Sequence, residues 1–236
     1  MIEKVDENLI GVVMGIRFRA NFSIEDQIGQ MVDHLLYSKG AFFNPKIFPT
    51  VRSGVGKKIL QNDATNDSLR IDNSNIILEI NYGGDFTPAD TARLQQKFNS
   101  EVINGIMRIF KIKEIVRLGY VKRYVFKIEQ LAKRFVDKTI GQTLGGINDI
   151  NLSFSKRLAV EEALVKQDVN DYDNAIFSVV KKADVNEIFM SIDYQRYFEP
   201  FLEASTQIEF DDFISKADGF TNKKYLPWLN SNYIEG

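Results

Sequence analysis

The chain has 236 residues, 44% of them hydrophobic and 26% charged, a composition typical of a globular protein with a sizeable core. Its formal net charge of −2 excludes polyanion binding by bulk attraction, although clustered charges still act locally. The absence of cysteine excludes disulfides, thiolate metal sites and cysteine nucleophiles.

The N-terminal residues do not resemble a secretory signal, because acidic side chains precede any apolar run. The longest apolar stretch, residues 9–16, is too short to span a bilayer. We therefore expect a cytoplasmic protein that does not associate with membranes.

A strand and a helix are predicted first. Residues 9–19 alternate apolar side chains with glycine and arginine, which indicates a strand with a core face and a second face carrying Arg17 and Arg19. Residues 23–40 follow with an apolar stripe at helical spacing behind a serine that can cap the helix.

A hairpin and a long helix are expected next. Residues 53–58 predict a flexible turn that enters a short strand. The segments 69–71 and 76–82 flank a polar four-residue tip, which is typical of a hairpin. Thr87 precedes a proline that fits the first helical position, so a helix is expected to run from there to about Phe110.

The stretch 112–128 is the most regular in the chain. One parity carries large apolar residues and the other carries cations, which predicts a long central strand with one core face and one cationic face. The cations of the first strand and of this one form the candidate binding surface: Arg17, Arg19, Lys113, Arg117, Arg123 and Lys127.

The second half follows a similar order of elements with weaker patterns. The expected elements are a helix, three strands and a further helix, at 129–140, 150–155, 175–181, 187–194 and from about Glu209. Residues 158–165 fit a strand or a helix, and 167–174 is expected to be a loop.

This order of elements predicts one α+β domain over 1–236, with a large, mainly antiparallel, curved sheet and helices on one face. One interpretation is that 1–111 and 112–236 are pseudo-repeated halves, although no residue-level repeat is visible. If the halves are equivalent, the first and the central strand occupy matching positions, and their cationic faces lie on the same exposed surface.

Two interpretations of this basic surface remain open. It fits the phosphates of a nucleic acid or an acidic partner, and Arg70 then extends it. It also fits a solvated sheet face whose cations oppose aggregation and pair across strands with acids such as Glu79 and Asp193. The near-neutral net charge favours the second interpretation, and Phe189 is the one aromatic residue expected beside it for base stacking.

Other motifs point to no particular chemistry. Residues 54–58 lack the glycine spacing and the final Ser or Thr of a phosphate loop. Residues 168–173 lack the glycine and the final glutamate of a calcium loop. His34 is the single histidine, and no partner for it as a base or metal ligand is recognised. We therefore expect no metal, no cofactor and no catalytic residue, which leaves dispersed carboxylates as the one enzymatic alternative.

The sequence Arg117-Leu118-Gly119-Tyr120 follows a long predicted helix in mid-chain. It resembles the R-x-G-aromatic/aliphatic strand of a sporadically distributed family of uncharacterised bacterial proteins of similar length. That family continues with an arginine and a tyrosine and then another arginine, whereas Val121-Lys122-Arg123-Tyr124 places these residue types in a different register. The order of elements is similar, and the resemblance implies no catalytic residues because the family has no established activity.

The sequence therefore predicts a non-catalytic binding or assembly protein of a bacterium or a mobile element, acting through protein contacts. Residues 197–229 are rich in Phe and Tyr and are expected to pack a C-terminal helix onto the sheet; the alternative is a surface for a partner or a second copy. The alternative function is nucleic-acid binding through the basic sheet face.

Overall fold

The computed structural model describes residues 8–39, 41–82, 94–107, 110–126, 137–138, 149–159, 171–181, 187–203, 210–229 and 231. Within these ranges, nine strands form one antiparallel sheet in an α+β fold. The strands are β1 Leu9–Phe18, β2 Thr50–Gly54, β3 Lys57–Asn62, β4 Asp67–Asp72, β5 Asn75–Asn81, β6 Ile115–Phe126, β7 Ile150–Ala159, β8 Tyr172–Lys181 and β9 Ile188–Leu202. The helices are α1 Ser23–Tyr37, α2 Phe98–Met107 with π-type hydrogen bonds, α3 Phe210–Phe220 and α4 Leu226–Leu229, with a π-type turn at Thr221–Tyr225 before α4.

The strand order is β2-β3-β4-β5-β1-β6-β9-β8-β7, so β1 and β6 form the centre of the sheet. These two strands are antiparallel neighbours, with Gly15 opposite Gly119 and Arg17 opposite Arg117. Directly opposed residues on neighbouring strands point to the same face. The prediction of a large antiparallel sheet is confirmed, and the arginines of the first and the central strand lie on one face of it.

The core is one continuous cluster of buried apolar side chains. Alternate residues of the strands enter it, and α1 and α3 contribute the apolar stripes that their sequences predict. The rings of Phe98 in α2 and Phe210 in α3 are in tilted contact, with centroids 5.2 Å apart and an interplanar angle of 49°, which joins these two helices. Each such large side chain stabilises the fold by about 1.5–3 kcal/mol when it is fully buried.

The edge of the sheet differs from the sequence-based prediction. Residues 53–58, expected as a turn, include the end of β2 and the start of β3, which pair through a tip formed by Val55 and Gly56. Gly56 has a φ of 62°, the left-handed region that favours glycine. Every residue of β2 is at least partly exposed, so β2 has no apolar alternation by which it could be recognised. The predicted hairpin between β4 and β5 is confirmed.

The structure differs from the predictions for the second half at 167–174 and decides the alternative at 158–165. The predicted loop at 167–174 is wrong at its end, because β8 begins at Tyr172. The segment 158–165, whose sequence fits a strand or a helix, is strand as far as Ala159, where β7 ends. Pro227 lies in the first turn of α4, where its missing N–H is tolerated.

Some predicted elements fall on parts of the chain outside the described residues. These are most of the helix at 129–140, the start of the long helix at Thr87, and residues 168–170 of the acidic segment. Among the described residues, no helix has the length and apolarity needed to cross a bilayer.

Two glycines on the central strands differ in the space around them. A Cβ added at Gly11 would lie 2.6 Å from the backbone oxygen of Ile80, whereas one added at Gly119 would meet nothing within 4 Å. We expect Gly11→Ala to lower the free energy of unfolding by about 1–3 kcal/mol, because β1 and β5 must separate to admit the methyl group. Gly119→Ala is expected to change it by less than about 0.5 kcal/mol. Urea denaturation measures both, and equal midpoints for the two variants would contradict this account.

Candidate functional site

The face of the sheet that points away from the apolar cluster is the candidate site, and we call it the arginine face. Because opposed residues share a face, its side chains form rows across the strands. One row runs through Asn75, Arg17, Arg117, Tyr197 and Tyr172. The neighbouring row runs through Arg52, Ile59, Arg70, Ile77, Gly15, Gly119, Gln195, Asn174 and Arg157.

A hollow of about 130 Å³ lies at the middle of the arginine face. It forms because Gly15 and Gly119 face each other and place no side chains above the sheet. Its lining combines apolar and polar side chains: Val13, Ile77, Val121, Asn75, Arg17, Arg117, Asp193 and Gln195. In the register of β1 and β6 the glycine pair lies between the arginine pair and the pair Val13 and Val121, so the hollow has cations on one side and apolar side chains on the other.

A chain of hydrogen bonds along β9 positions Arg117 beside the hollow. Nη1 of Arg117 donates to the hydroxyl of Tyr197 at 3.2 Å, and that hydroxyl donates to Oε1 of Gln195 at 2.8 Å. Nε2 of Gln195 in turn donates to Oδ2 of Asp193 at 2.5 Å. The hydroxyl of Tyr197 therefore orients Arg117, and the side-chain amide of Gln195 orients Asp193, the acid that lines the hollow.

Asp193 is the one acid in the lining of the hollow. Burial raises the pKa of its carboxyl, and the hydrogen bond from Gln195 and the positive charge of Arg117 offset this only in part. Its negative charge is therefore lost at a higher pH than that of an exposed aspartate. As the pH falls through this range, the net charge of the hollow becomes more positive.

Two stacked tyrosine rings lie between two arginines on the β6, β9, β8 and β7 side of the arginine face. Tyr197 and Tyr172 stack with centroids 4.8 Å apart and an interplanar angle of 11°. The guanidinium carbon of Arg117 lies 5.6 Å from the centroid of Tyr197, and that of Arg157 lies 3.6 Å from the centroid of Tyr172. The two tyrosine rings are therefore engaged by each other and by arginines.

The predicted cations fall into separate environments. Arg17 and Arg117 flank the hollow, and Arg17 is exposed and makes no ion pair with any residue that the structure describes. Lys113 is exposed but precedes β6, because the central strand begins at Ile115 and not at 112. Lys127 lies outside the described residues.

The other two predicted cations are paired with acids. Arg123 forms an ion pair with Glu79, as expected from the cross-strand interpretation. Arg19 lies beyond the end of β1 and contacts Glu114 at 3.1 Å. Arg52 and Arg70, also on this face, are paired with Asp63 at 2.9 Å and Asp72 at 3.6 Å. Four arginines of the face are therefore paired with acids or lie beside one, whereas Arg17 has no acidic partner among the described residues.

Two ion pairs on the core side of the sheet were not recognised in the sequence. Asp173 of β8 accepts two hydrogen bonds from Arg196 of β9, at 2.7 and 2.6 Å, and one from the hydroxyl of Tyr194 at 2.7 Å. Burial and the bond to Asp173 raise the pKa of Tyr194 well above its ordinary value. Nζ of Lys122 in β6 lies 2.5 Å from a carboxylate oxygen of Asp218 in α3. A signal for both pairs exists, because Lys122 and Arg196 occupy positions of apolar parity.

In the part of the chain that the structure describes, no group of three or more His, Cys, Asp or Glu side chains is placed to hold a metal ion. His34 lies in α1 with Nδ1 3.2 Å from the hydroxyl of Ser38.

Neither a protein-family model nor a curated protein matches this sequence. The resemblance of residues 117–120 to the bacterial family therefore stays a prediction.

Proposed function

We propose that this chain is a non-catalytic binding protein whose contact surface is the arginine face and whose partner is another protein. The observation that carries the proposal is the cluster of Arg117, Tyr197, Tyr172 and Arg157, which begins at the hollow with Arg117 and extends across β9 and β8 to β7. Arginine and tyrosine are enriched among the residues that dominate the free energy of protein binding. An apolar centre framed by polar groups is the usual anatomy of a protein interface.

The mixture of charges on this face supports a protein partner over a nucleic acid. Asp72, Glu79 and Asp193 lie on it beside the arginines. Each would repel a phosphate backbone, whereas a protein surface supplies side chains of both signs. The rings of Tyr172 and Tyr197 are already stacked, so they do not offer open platforms for bases.

Nucleic-acid binding is the second candidate, and one observation favours it. Arg17 and Arg117 stand side by side at the centre of the face, and Arg17 has no acidic partner among the described residues. Two such cations fit one or two phosphates. Phe189, which is 37% exposed on the same face, is available for a single base. Binding of this kind weakens steeply as the salt concentration rises.

We further propose that 1–111 and 112–236 are pseudo-repeated halves, with helices on the face opposite the arginine face. The strand order supports this, because β5, β4, β3 and β2 follow outward from β1, and β9, β8 and β7 follow outward from β6. The rings of Phe213 and Phe220 in α3 pack against Tyr194, on the core side of β9. A chain with this architecture presents one continuous surface built from both halves.

Selection of displayed random peptides on the immobilised protein tests the proposed function. We expect the selected peptides to bind Arg117→Glu and Arg157→Glu at least about tenfold more weakly than the native chain. Loss of an arginine that anchors an interface typically reduces the binding free energy by more than about 1.4 kcal/mol, which corresponds to that factor. Fluorescence anisotropy with labelled peptides measures the affinities.

The matched control is Lys216→Glu, which reverses an exposed cation on α3, away from the arginine face. Peptides that bind all three variants like the native chain would show that the arginine face is not the contact surface. Failure to select peptides, together with salt-dependent binding of a labelled oligonucleotide that Arg117→Glu abolishes, would establish the second candidate instead.

A further inference from the structure

We propose that the hollow between Arg17 and Arg117 is an oxyanion site that receives a carboxylate from an acidic side chain of the partner. The inference rests on the proposed function, since it specifies what a protein partner inserts at the centre of the arginine face. Three features of the hollow support it: guanidinium donors without acceptors, a space of suitable size, and a local acid that balances the charge only in part.

The need for acceptors arises from the register of the sheet. Arg17 and Arg117 are direct partners across β1 and β6. Like charges directly opposite each other destabilise an antiparallel pair. Each guanidinium carries five N–H donors and remains charged at all ordinary pH values. Arg117 uses one nitrogen on Tyr197, and Arg17 makes no ion pair with any described residue, so the two together have donors to spare for an anion.

The space arises two residues away from the arginine pair, at Gly15 before Arg17 in β1 and at Gly119 after Arg117 in β6. Gly15 and Gly119 oppose each other next to the arginine pair, so the missing side chains lie directly beside the guanidinium groups. The resulting hollow of about 130 Å³ exceeds the ~30 Å³ that one water occupies in the liquid. It therefore has room for a carboxylate that enters from the solvent side. Val13 and Val121, which line the hollow on the side opposite the arginines, suit the methylene groups of an acidic side chain.

The local acid does not complete the charge balance. The charged groups that line the hollow are Arg17, Arg117 and Asp193, which leaves one positive charge in excess when Asp193 is ionised. One oxygen of Asp193 already accepts from Gln195 at 2.5 Å. Burial also raises the pKa of this carboxyl, so its competition for Arg117 weakens as the pH falls. An incoming carboxylate supplies the remaining negative charge.

Titration of the full chain with sodium acetate, followed by ¹⁵N NMR at constant ionic strength set with chloride, tests the site directly. We expect saturable shifts of the Nε–H signals of Arg17 and Arg117 and of the Gly119 amide. Affinity is expected to fall about tenfold or more in Arg17→Gln and Arg117→Gln, since each change removes half of the donor set.

A third variant, Gly119→Val, places a side chain in the hollow without removing a charge, and its Cβ would meet nothing within 4 Å. We expect it to abolish the saturable shifts while the remaining signals stay at their native positions. Lys216→Gln is the matched control and should bind acetate like the native chain. Shifts that are absent, that grow linearly with acetate, or that survive in all three site variants would overturn the proposal.

A peptide experiment separates failure of this inference from failure of the proposed function. Acidic residues in selected peptides are replaced one at a time by their amides, and we expect one replacement to lower the affinity about tenfold. If peptides bind through Arg157 while no amide replacement matters and acetate does not bind, the protein-binding function stands and the oxyanion site is wrong. If acetate binds at the two arginines while no peptide does, the partner is wrong and the oxyanion site stands.

Discussion

Asp173→Ala is expected to lower the free energy of unfolding by about 3–5 kcal/mol, because it leaves the guanidinium of Arg196 charged and buried without a partner. The side chains of Asp173 and Arg196 are only 7% and 13% exposed, so water cannot replace the lost carboxylate. The hydroxyl of Tyr194 loses its acceptor in the same variant, which adds a buried unsatisfied donor. Urea denaturation at neutral pH measures the change.

Two further variants show whether the buried charge is the cause. Replacing both partners, Asp173→Leu with Arg196→Met, is expected to recover most of the lost stability, because apolar side chains of similar size replace a buried pair at little cost. Asp63→Ala removes the acid of the exposed pair with Arg52, whose side chains are 51% and 59% exposed, and is expected to cost less than about 1 kcal/mol. If Asp173→Ala also lowered the free energy of unfolding by less than about 1 kcal/mol, the buried pair would contribute no more to stability than the surface pair.

Asp218→Ala is expected to lower the free energy of unfolding by about 2–3 kcal/mol, because it leaves the ammonium group of Lys122 beneath α3 without its carboxylate partner. The side chain of Lys122 is 10% exposed, whereas that of Asp218 is 32% exposed, so some hydration of this pair remains and the loss is smaller than for Asp173. The ring of Tyr120, whose centroid lies 5.8 Å from Nζ of Lys122, continues to stabilise the cation in the variant.

A double-mutant cycle with Lys122→Met isolates the contribution of this pair. Lys122→Met alone leaves the partly hydrated carboxylate of Asp218 without its cation, and we expect it to lower the free energy of unfolding by less than Asp218→Ala does. In the double variant we expect the free energy of unfolding to fall by less than the sum of the two single effects. Strict additivity would mean that Lys122 and Asp218 do not interact, and the attachment of α3 to β6 would then rest on apolar contacts alone.

The central strands were predictable because their side chains alternate strictly. In β1 and β6 the large apolar residues enter the core, and the arginines at 17, 117 and 123 lie on the other face, as their parity indicates. The same rule fails for Lys122 and Arg196. A hydropathy pattern treats each charge as solvent-facing, and only the three-dimensional structure brings a buried charge together with an acid distant in the chain.

The register and the sheet edge could not be predicted for a different reason. That Arg17 faces Arg117, and not a residue one position away, depends on the hydrogen bonds between strands and on the bulges near the ends of β1, which have no local signature. β2 has exposed or half-exposed side chains throughout and is defined by its pairing with β3. The hollow depends on this register too, because Gly15 and Gly119 create it only when they are opposed.

The strand order has a consequence for how the chain closes on itself. The outer strand pairs are hairpins between neighbours in sequence, whereas β1 with β5, β1 with β6 and β6 with β9 join segments that lie far apart along the chain. Loop-closure entropy is therefore concentrated in the middle of the sheet. Arg17, Arg117 and Tyr197 come from the three strands at this point, so no local fragment of the polypeptide assembles them, and any ligand that bridges all three distinguishes the native chain from its unfolded and partly folded forms.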